Sequence, residues 1–237
     1  MSLTPEVQVK ELIEKSSAIL ILVPENSGGD AFGAAAGIGA FLENLGKTVT
    51  IAGSNIAPTA ESFVFLDPPK SILPSISGVR EFILSFNTEQ NDIVSIRTER
   101  SVGEYRIFIT PEKGSIDPRD FSFVPAKFSF DIVITVGAPD KESLGKIFET
   151  NPDIFYEVPV IAIDHLAEND RFGQVNIIDI TASSTSETAT ALLEKIGEKH
   201  IDARVAGLLL AGIVLGTESF QKKNTSPGAL GAASRLM

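Results

Sequence analysis

Hydrophobic positions follow two kinds of pattern along the chain, and the change between them marks its organisation. Residues 5–16 place Val7, Leu12 and Ile13 at helical spacing. Thr4 can cap that helix, and Pro5 suits its first position. The run Ala18 to Val23, AILILV, has no polar alternation, as a strand covered on both faces requires. A turn, PENSGGD over 24–30, precedes a small-residue helix from Ala31 to Leu45 that ends at Gly46. Gly33, Gly37 and Gly39 each weaken that helix by about 1 kcal/mol, so their presence predicts a close neighbour on that face. Lys47 to Ala52 is a second strand, completing a βαβ unit.

After a proline-rich stretch over 53–79 the pattern changes. Residues 80–86, 92–98 and 104–110 alternate partially and are separated by polar turns. This predicts antiparallel strands with one exposed face, a hairpin or meander inserted over 80–125. The parallel pattern resumes with FDIVITV over 130–136, a helix after Asp140, and strands over 158–164 and 174–180. Ser184 and Glu187 give a capping-box signal before TATALLEKIG. A buried helix is expected over 202–215, and another starts near Pro227. The pattern therefore predicts one α/β domain over residues 1–237. Its core is a three-layer, mostly parallel β-sheet flanked by helices, carrying the antiparallel insert.

Composition narrows the chemistry. The 237 residues contain no cysteine and two histidines, which excludes disulfides, thiolate zinc sites and a cysteine nucleophile. The net charge of −11 argues against a broad nucleic-acid footprint. The longest apolar run is too short to span a bilayer, and the first residues lack a signal-peptide apolar region. A cytoplasmic protein without a membrane partner is the expectation.

Sites in parallel α/β sheets gather at the carboxyl ends of strands. There the sequence offers Asp30, Asp164 and His165, a donor set suited to Mn²⁺ or Mg²⁺ that would activate water against a phosphate ester. The alternative is that Asp30 caps its own helix while Asp164 and His165 organise a turn. Gly29, in the GGDAFG turn, is placed where backbone N–H groups hold an anion, although Asp30 puts a negative charge there. Ser183, Ser184 and Thr185 precede a helix. His165 is the nearest base for a nucleophile among them, but capping accounts for them better. His200 follows a helix end and reads as a surface residue.

Four stretches together resemble the N-terminal domain of the DHH family of phosphoesterases. They are ILILVPENSGGDAFGAAAGIGAFLENLGKTVTIA, FDIVITVGAPD, VIAIDHLAENDRFGQVNIIDITASSTSETATALLE and AGLLLAGIVLGTESFQKKNTSPGALGAASRLM. The region from Asp164 to Glu187 is the most specific, with Asp164 and His165 of the naming motif, then Asn169 and the SST-x-x-E helix start.

The resemblance implies two Mn²⁺ or Mg²⁺ ions and hydrolysis of phosphodiester or phosphoanhydride bonds. It also exposes losses. Pro24 stands at a histidine position, Gly28, Gly137 and Gly216 at aspartate positions, and Leu166 at the second histidine of the naming motif. Two metals about 3.5–4 Å apart need shared carboxylates, which proline and glycine do not supply. The implied state is a framework without the chemistry, binding no cofactor or at most one weak Mn²⁺ or Mg²⁺. Asp30, Asp164 and His165 would then be vestigial. Asn169, with Gly29, Ser183, Ser184 and Thr185, would serve in capping or anion binding. The expected role is binding or scaffolding, with a protein partner or self-association through 80–125, or a small phosphorylated ligand. The alternative is a divergent phosphoesterase acting on small nucleotides or short oligonucleotides with a single metal on Asp30, Asp164 and His165. The family's smaller C-terminal substrate domain is expected to be absent.

Overall fold

The computed structural model describes residues 3–76, 80–89, 92–117, 119 and 121–237. Residues 77–79 of the turn-rich stretch, and 90, 91, 118 and 120 of the insert, lie outside these. The chain forms two compact units, one made of residues 1–79 with 129–237 and the other of residues 80–128.

The larger unit is an α/β core. Its elements are α1 (Pro5–Lys15), β1 (Ala18–Leu22), α2 (Gly29–Asn44), β2 (Thr48–Ala52), α3 (Ala57–Ser62) and β3 (Ile72–Leu73), and then, beyond the insert, β8 (Ile132–Val136), α4 (Lys146–Thr150), α5 (Ile154–Glu157), β9 (Val160–Asp164), β10 (Val175–Ile178), α6 (Thr185–Gly197), α7 (Ala203–Gly216) and α8 (Pro227–Leu236). Six strands pair in the order β10-β9-β8-β1-β2-β3, every pair parallel. Ile19 and Ile21 of β1 are as fully buried as Leu20 and Leu22 between them. Both faces of the strand are covered, which is why AILILV shows no alternation.

Strand order runs outward from β1 through β2 to β3, and outward again from β8 through β9 to β10. The reversal lies between β1 and β8, which are paired from Ile19↔Ile132 to Leu22↔Thr135. That switch point opens a crevice beyond the strands' carboxyl ends. Pro24 and Gly137 border it.

The small residues of α2 serve close packing. A Cβ on Gly33 would lie 2.6 Å from the Gly212 Cα of α7, so two helix backbones nearly touch there. At Gly37 the neighbour is the Leu209 side chain, and at Gly39 it is the Pro69 ring. Only at Gly33 is the neighbour another backbone.

Several local expectations are corrected. Thr4 occupies the N-cap position of α1 without a side-chain capping bond. The helix expected after Asp140 is split into a 3₁₀ turn at Glu142–Leu144 and α4 because Gly145 sits at φ +58° between them. Asp140 caps the 3₁₀ turn, its carboxylate accepting the Ser143 N–H at 2.7 Å. His200 is half-buried with its ring edge-on to Phe41, centroids 6.1 Å apart. Among the described residues no helix is long and apolar enough to cross a membrane.

The second unit contains β4 (Arg80–Phe86), β5 (Ile93–Ser101), β6 (Glu104–Pro111) and β7 (Phe121–Phe128). It is not a meander. β5 and β6 form one antiparallel hairpin, while β4 pairs with β7 across it in sequence. β7 escapes a reading of the sequence because Pro125 interrupts FSFVPAKF, and proline normally demotes a strand.

Candidate functional site

The carboxyl ends of β1, β8 and β9 converge with the first turns of α2 and α6, and most of the flagged side chains meet there. Asp30 lies in the first turn of α2 and is half-buried. Its carboxylate reaches across to α6. One oxygen accepts the Thr185 N–H at 2.8 Å and the other accepts the Ser186 N–H at 2.9 Å. Ser186 Oγ in turn donates to the Asp30 carbonyl at 2.9 Å. Asp30 therefore caps a helix, but α6 rather than its own. The N–H groups at the start of α6, which have no partner within the helix, and the helix dipole hold the charge in place.

The rest of the α6 start is equally occupied. Ser184 Oγ accepts the Glu187 N–H at 3.1 Å, and Glu187 reaches back to the Ser183 N–H at 2.7 Å. This is a capping box displaced by one residue from its usual backbone donor. Ser183 Oγ donates to the Asn224 carbonyl at 2.8 Å and accepts the Ser226 N–H at 2.6 Å, tying α6 to the loop before α8.

Asp164, the last residue of β9, is fully buried. One oxygen accepts the His165 N–H at 2.7 Å and the other an Asn169 side-chain N–H at 2.9 Å. Burial would raise its pKa. The hydrogen bonds with His165 and Asn169 prevail and hold the carboxyl below the usual carboxylate value. Asn169 also donates to the Ala138 carbonyl at 2.9 Å, linking the β8 and β9 loops. His165 Nδ1 lies 3.0 Å from Thr185 Oγ1 and 3.6 Å from the near Asp164 oxygen. A proton on Nδ1 faces both oxygens, which favours that tautomer. Thr185 is buried and shares its hydroxyl with this network, so it is not exposed for nucleophilic attack.

The glycine positions differ sharply from one another. Gly137 adopts φ +67°, and a Cβ there would lie 2.9 Å from the Ala31 Cβ. A Cβ on Gly216 would lie 2.8 Å from the Ser184 Cβ and 2.9 Å from the Asp30 Cγ. Neighbouring side chains crowd both positions. Gly28, the N-cap of α2, is open, with nothing within 4 Å of a Cβ there. As a glycine it gives α2 no side-chain cap. A Cβ on Gly29 would meet the tip of Leu215. Pro24 and Leu166 are half-buried at the ends of β1 and β9.

These residues do not fit a two-metal centre. Each oxygen of Asp30 and of Asp164 already accepts a hydrogen bond from the protein, and at Gly137 and Gly216 a Cβ would come within 3 Å of neighbouring side chains. Among the described residues no group of three or more His, Asp or Glu side chains converges as a metal site would.

Sequence reading missed Ser186, Lys222 and Ser226. Ser226 caps α8 by accepting the Ala229 N–H at 2.9 Å, and a serine directly before Pro227 was its signal. Lys222 donates to the Gly216 carbonyl at 3.0 Å at the end of α7, a role no local pattern marks.

The model of the DHH family, N-terminal domain, matches residues 18–213. The bifunctional oligoribonuclease and PAP phosphatase NrnA of Thermus thermophilus is similar at 28% identity over 51% of this chain and 38% of its own length. An uncharacterized protein of Mycoplasma genitalium, MG371, is similar at 27% identity over 74% of this chain and 50% of its own. An exopolyphosphatase-related protein from Bacteroides fragilis shares the fold at a TM-score of 0.65 and 15% identity, over 98% of this chain and 55% of its own. The chain thus spans half or less of these two curated relatives.

Proposed function

From the premise that the chain belongs to the DHH family through that family's N-terminal domain, we propose that it keeps the phosphoesterase-like framework without two-metal hydrolysis and acts as a binding or scaffold protein. The observation that carries this reading is the Asp30 carboxylate spent on the Thr185 and Ser186 N–H groups. A bridging carboxylate aims its oxygens at the ions, whereas these are aimed at the first N–H groups of α6. One that caps a helix contributes to stability instead. The tight fit around Gly137 and Gly216 supports the same reading. A small phosphorylated ligand would find its anion site at the uncapped start of α2, now that the Asp30 charge is turned away to α6.

The test is turnover. RNA oligonucleotides and PAP, the substrates named for the Thermus relative, together with cyclic dinucleotides and pyrophosphate, are incubated with the chain in Mn²⁺ or Mg²⁺. No product above the protein-free control is expected. Steady metal-dependent hydrolysis that disappears in a folded His165→Ala variant would overturn the proposal.

A further inference from the structure

One nucleophilic side chain at the carboxyl ends of the strands has no task in a binding role. The His165 side chain is 20% exposed. Its Nδ1 edge turns inward, 3.0 Å from Thr185 Oγ1 and 3.6 Å from the Asp164 carboxylate, and both of those residues are buried. The exposed part of the ring is therefore the opposite edge, which carries Nε2. Among the described residues Nε2 has no hydrogen-bond partner. With the proton held on Nδ1, Nε2 keeps its lone pair. A carboxylate and a hydroxyl orient one nitrogen and leave the other bare, as an imidazole nucleophile requires.

The surroundings select the electrophile. Attack by Nε2 places a positive charge on the ring, which the Asp164 carboxylate offsets from 3.6 Å. Thr185 Oγ1 lies 3.4 Å from where a Gly137 Cβ would stand, and that point is 2.9 Å from the Ala31 Cβ in the first turn of α2. The His165 ring and the first turn of α2 are thus neighbours across Thr185 and Gly137. A helix start without a side-chain cap favours anionic oxygens through its N–H groups and its dipole. The Asp30 charge beside it is turned to α6. An electrophile that carries anionic oxygens suits this pairing, and a phosphoryl group is one. A carbonyl or alkyl carbon brings no such charge.

We propose that His165 Nε2 accepts a phosphoryl group from a small acyl phosphate. The Nε2 lone pair forms the N–P bond. The P–O bond to the acyl group breaks, and its electron pair leaves on the carboxylate. The ring keeps its Nδ1 proton, so no other group has to supply or take one. The product is a phosphohistidine formed once per chain, without turnover. The lone pair is available only when no metal holds it, so the proposal rests on the metal-free reading above.

The full chain is incubated with acetyl phosphate and a chelator, both folded and in urea. His165→Ala, Thr185→Val, Thr185→Ser and His200→Ala are run beside it, with circular dichroism to check folding. Intact mass and peptide mapping locate the added group, and lability in acid with stability in base identifies an N–P bond. The expected result is one phosphoryl group per folded chain, on His165, formed about tenfold or more faster than in urea. It is lost in His165→Ala, kept in His200→Ala, slowed about tenfold in Thr185→Val and restored in Thr185→Ser. No label, acetyl transfer in its place, a rate no faster than in urea, or equal labelling at His200 would overturn the proposal. A parallel Mn²⁺ titration separates the two readings. If labelling fails while Mn²⁺ binds at His165, the metal-free reading fails with it. If labelling fails and no Mn²⁺ binds, only the phosphoryl transfer is wrong.

Discussion

The Asp30 carboxylate accepts the Thr185 N–H at 2.8 Å although 155 residues separate the two in sequence. A residue that reads as a metal ligand in the sequence is in the structure the cap of a distant helix. Its removal should therefore be felt in stability. Asp30→Ala leaves the Thr185 and Ser186 N–H groups without their acceptor and is expected to cost about 2 kcal/mol. Asp30→Asn, with one acceptor oxygen, should cost about half of that. Urea denaturation of the two variants checks both.

Reintroducing carboxylates at the glycine positions should fail unequally. Gly137→Asp forces a side chain into a left-handed backbone and against Ala31, and is expected to cost about 2 kcal/mol or more. Gly216→Asp meets Ser184 and places a second negative charge beside Asp30, with a similar cost. Gly28→Asp has open space and an N-cap position that favours aspartate, so stability should change by about 0.5 kcal/mol or less. Thermal unfolding of the three variants gives the ranking.

Acid should weaken the fold partly through Glu6. Its hydrogen bond from Lys195, at 2.7 Å, lowers the carboxyl from 4.5 to about 2. A folded pKa below the unfolded one gives stability that is fully present above pH 4.5 and lost as pH falls toward 2. Glu6→Gln should flatten the stability curve over that window and leave its shape near neutral pH unchanged. Denaturation midpoints measured from pH 6 to pH 2 test this.

The segment after α7 holds Glu218, Ser219 and Phe220 consecutively at φ +51°, +59° and +65°. Each non-glycine residue there carries a cost of about 1–2 kcal/mol. Glu218→Gly relieves one of them, offset by the glycine's greater freedom when unfolded, so a net gain of about 0.5 kcal/mol is expected. A rise in melting temperature is the readout.

The elements that the sequence reveals are those whose burial pattern is local. AILILV is buried on both faces and shows it, and Ser184 with Glu187 announces a cap built within four residues. Gly33 betrays a neighbouring backbone because nothing else explains glycine inside a helix. What escapes is non-local. The pairing of β4 with β7 around the β5–β6 hairpin depends on contacts about 40 residues apart, and Pro125 conceals the second partner. β3 has two residues and no pattern to read. At the candidate site Asp30, Asp164 and His165 are visible as chemistry-bearing residues. The side to which Asp30 turns is set by the approach of α2 to α6, which no local spacing encodes.

A calorimetric titration of the chain with Mn²⁺ tests the central claim most directly. With Asp30 committed to α6 and Asp164 to His165 and Asn169, the account predicts no saturable heat. Saturable binding with a stoichiometry of one or two ions, lost in a folded His165→Ala variant, would contradict it.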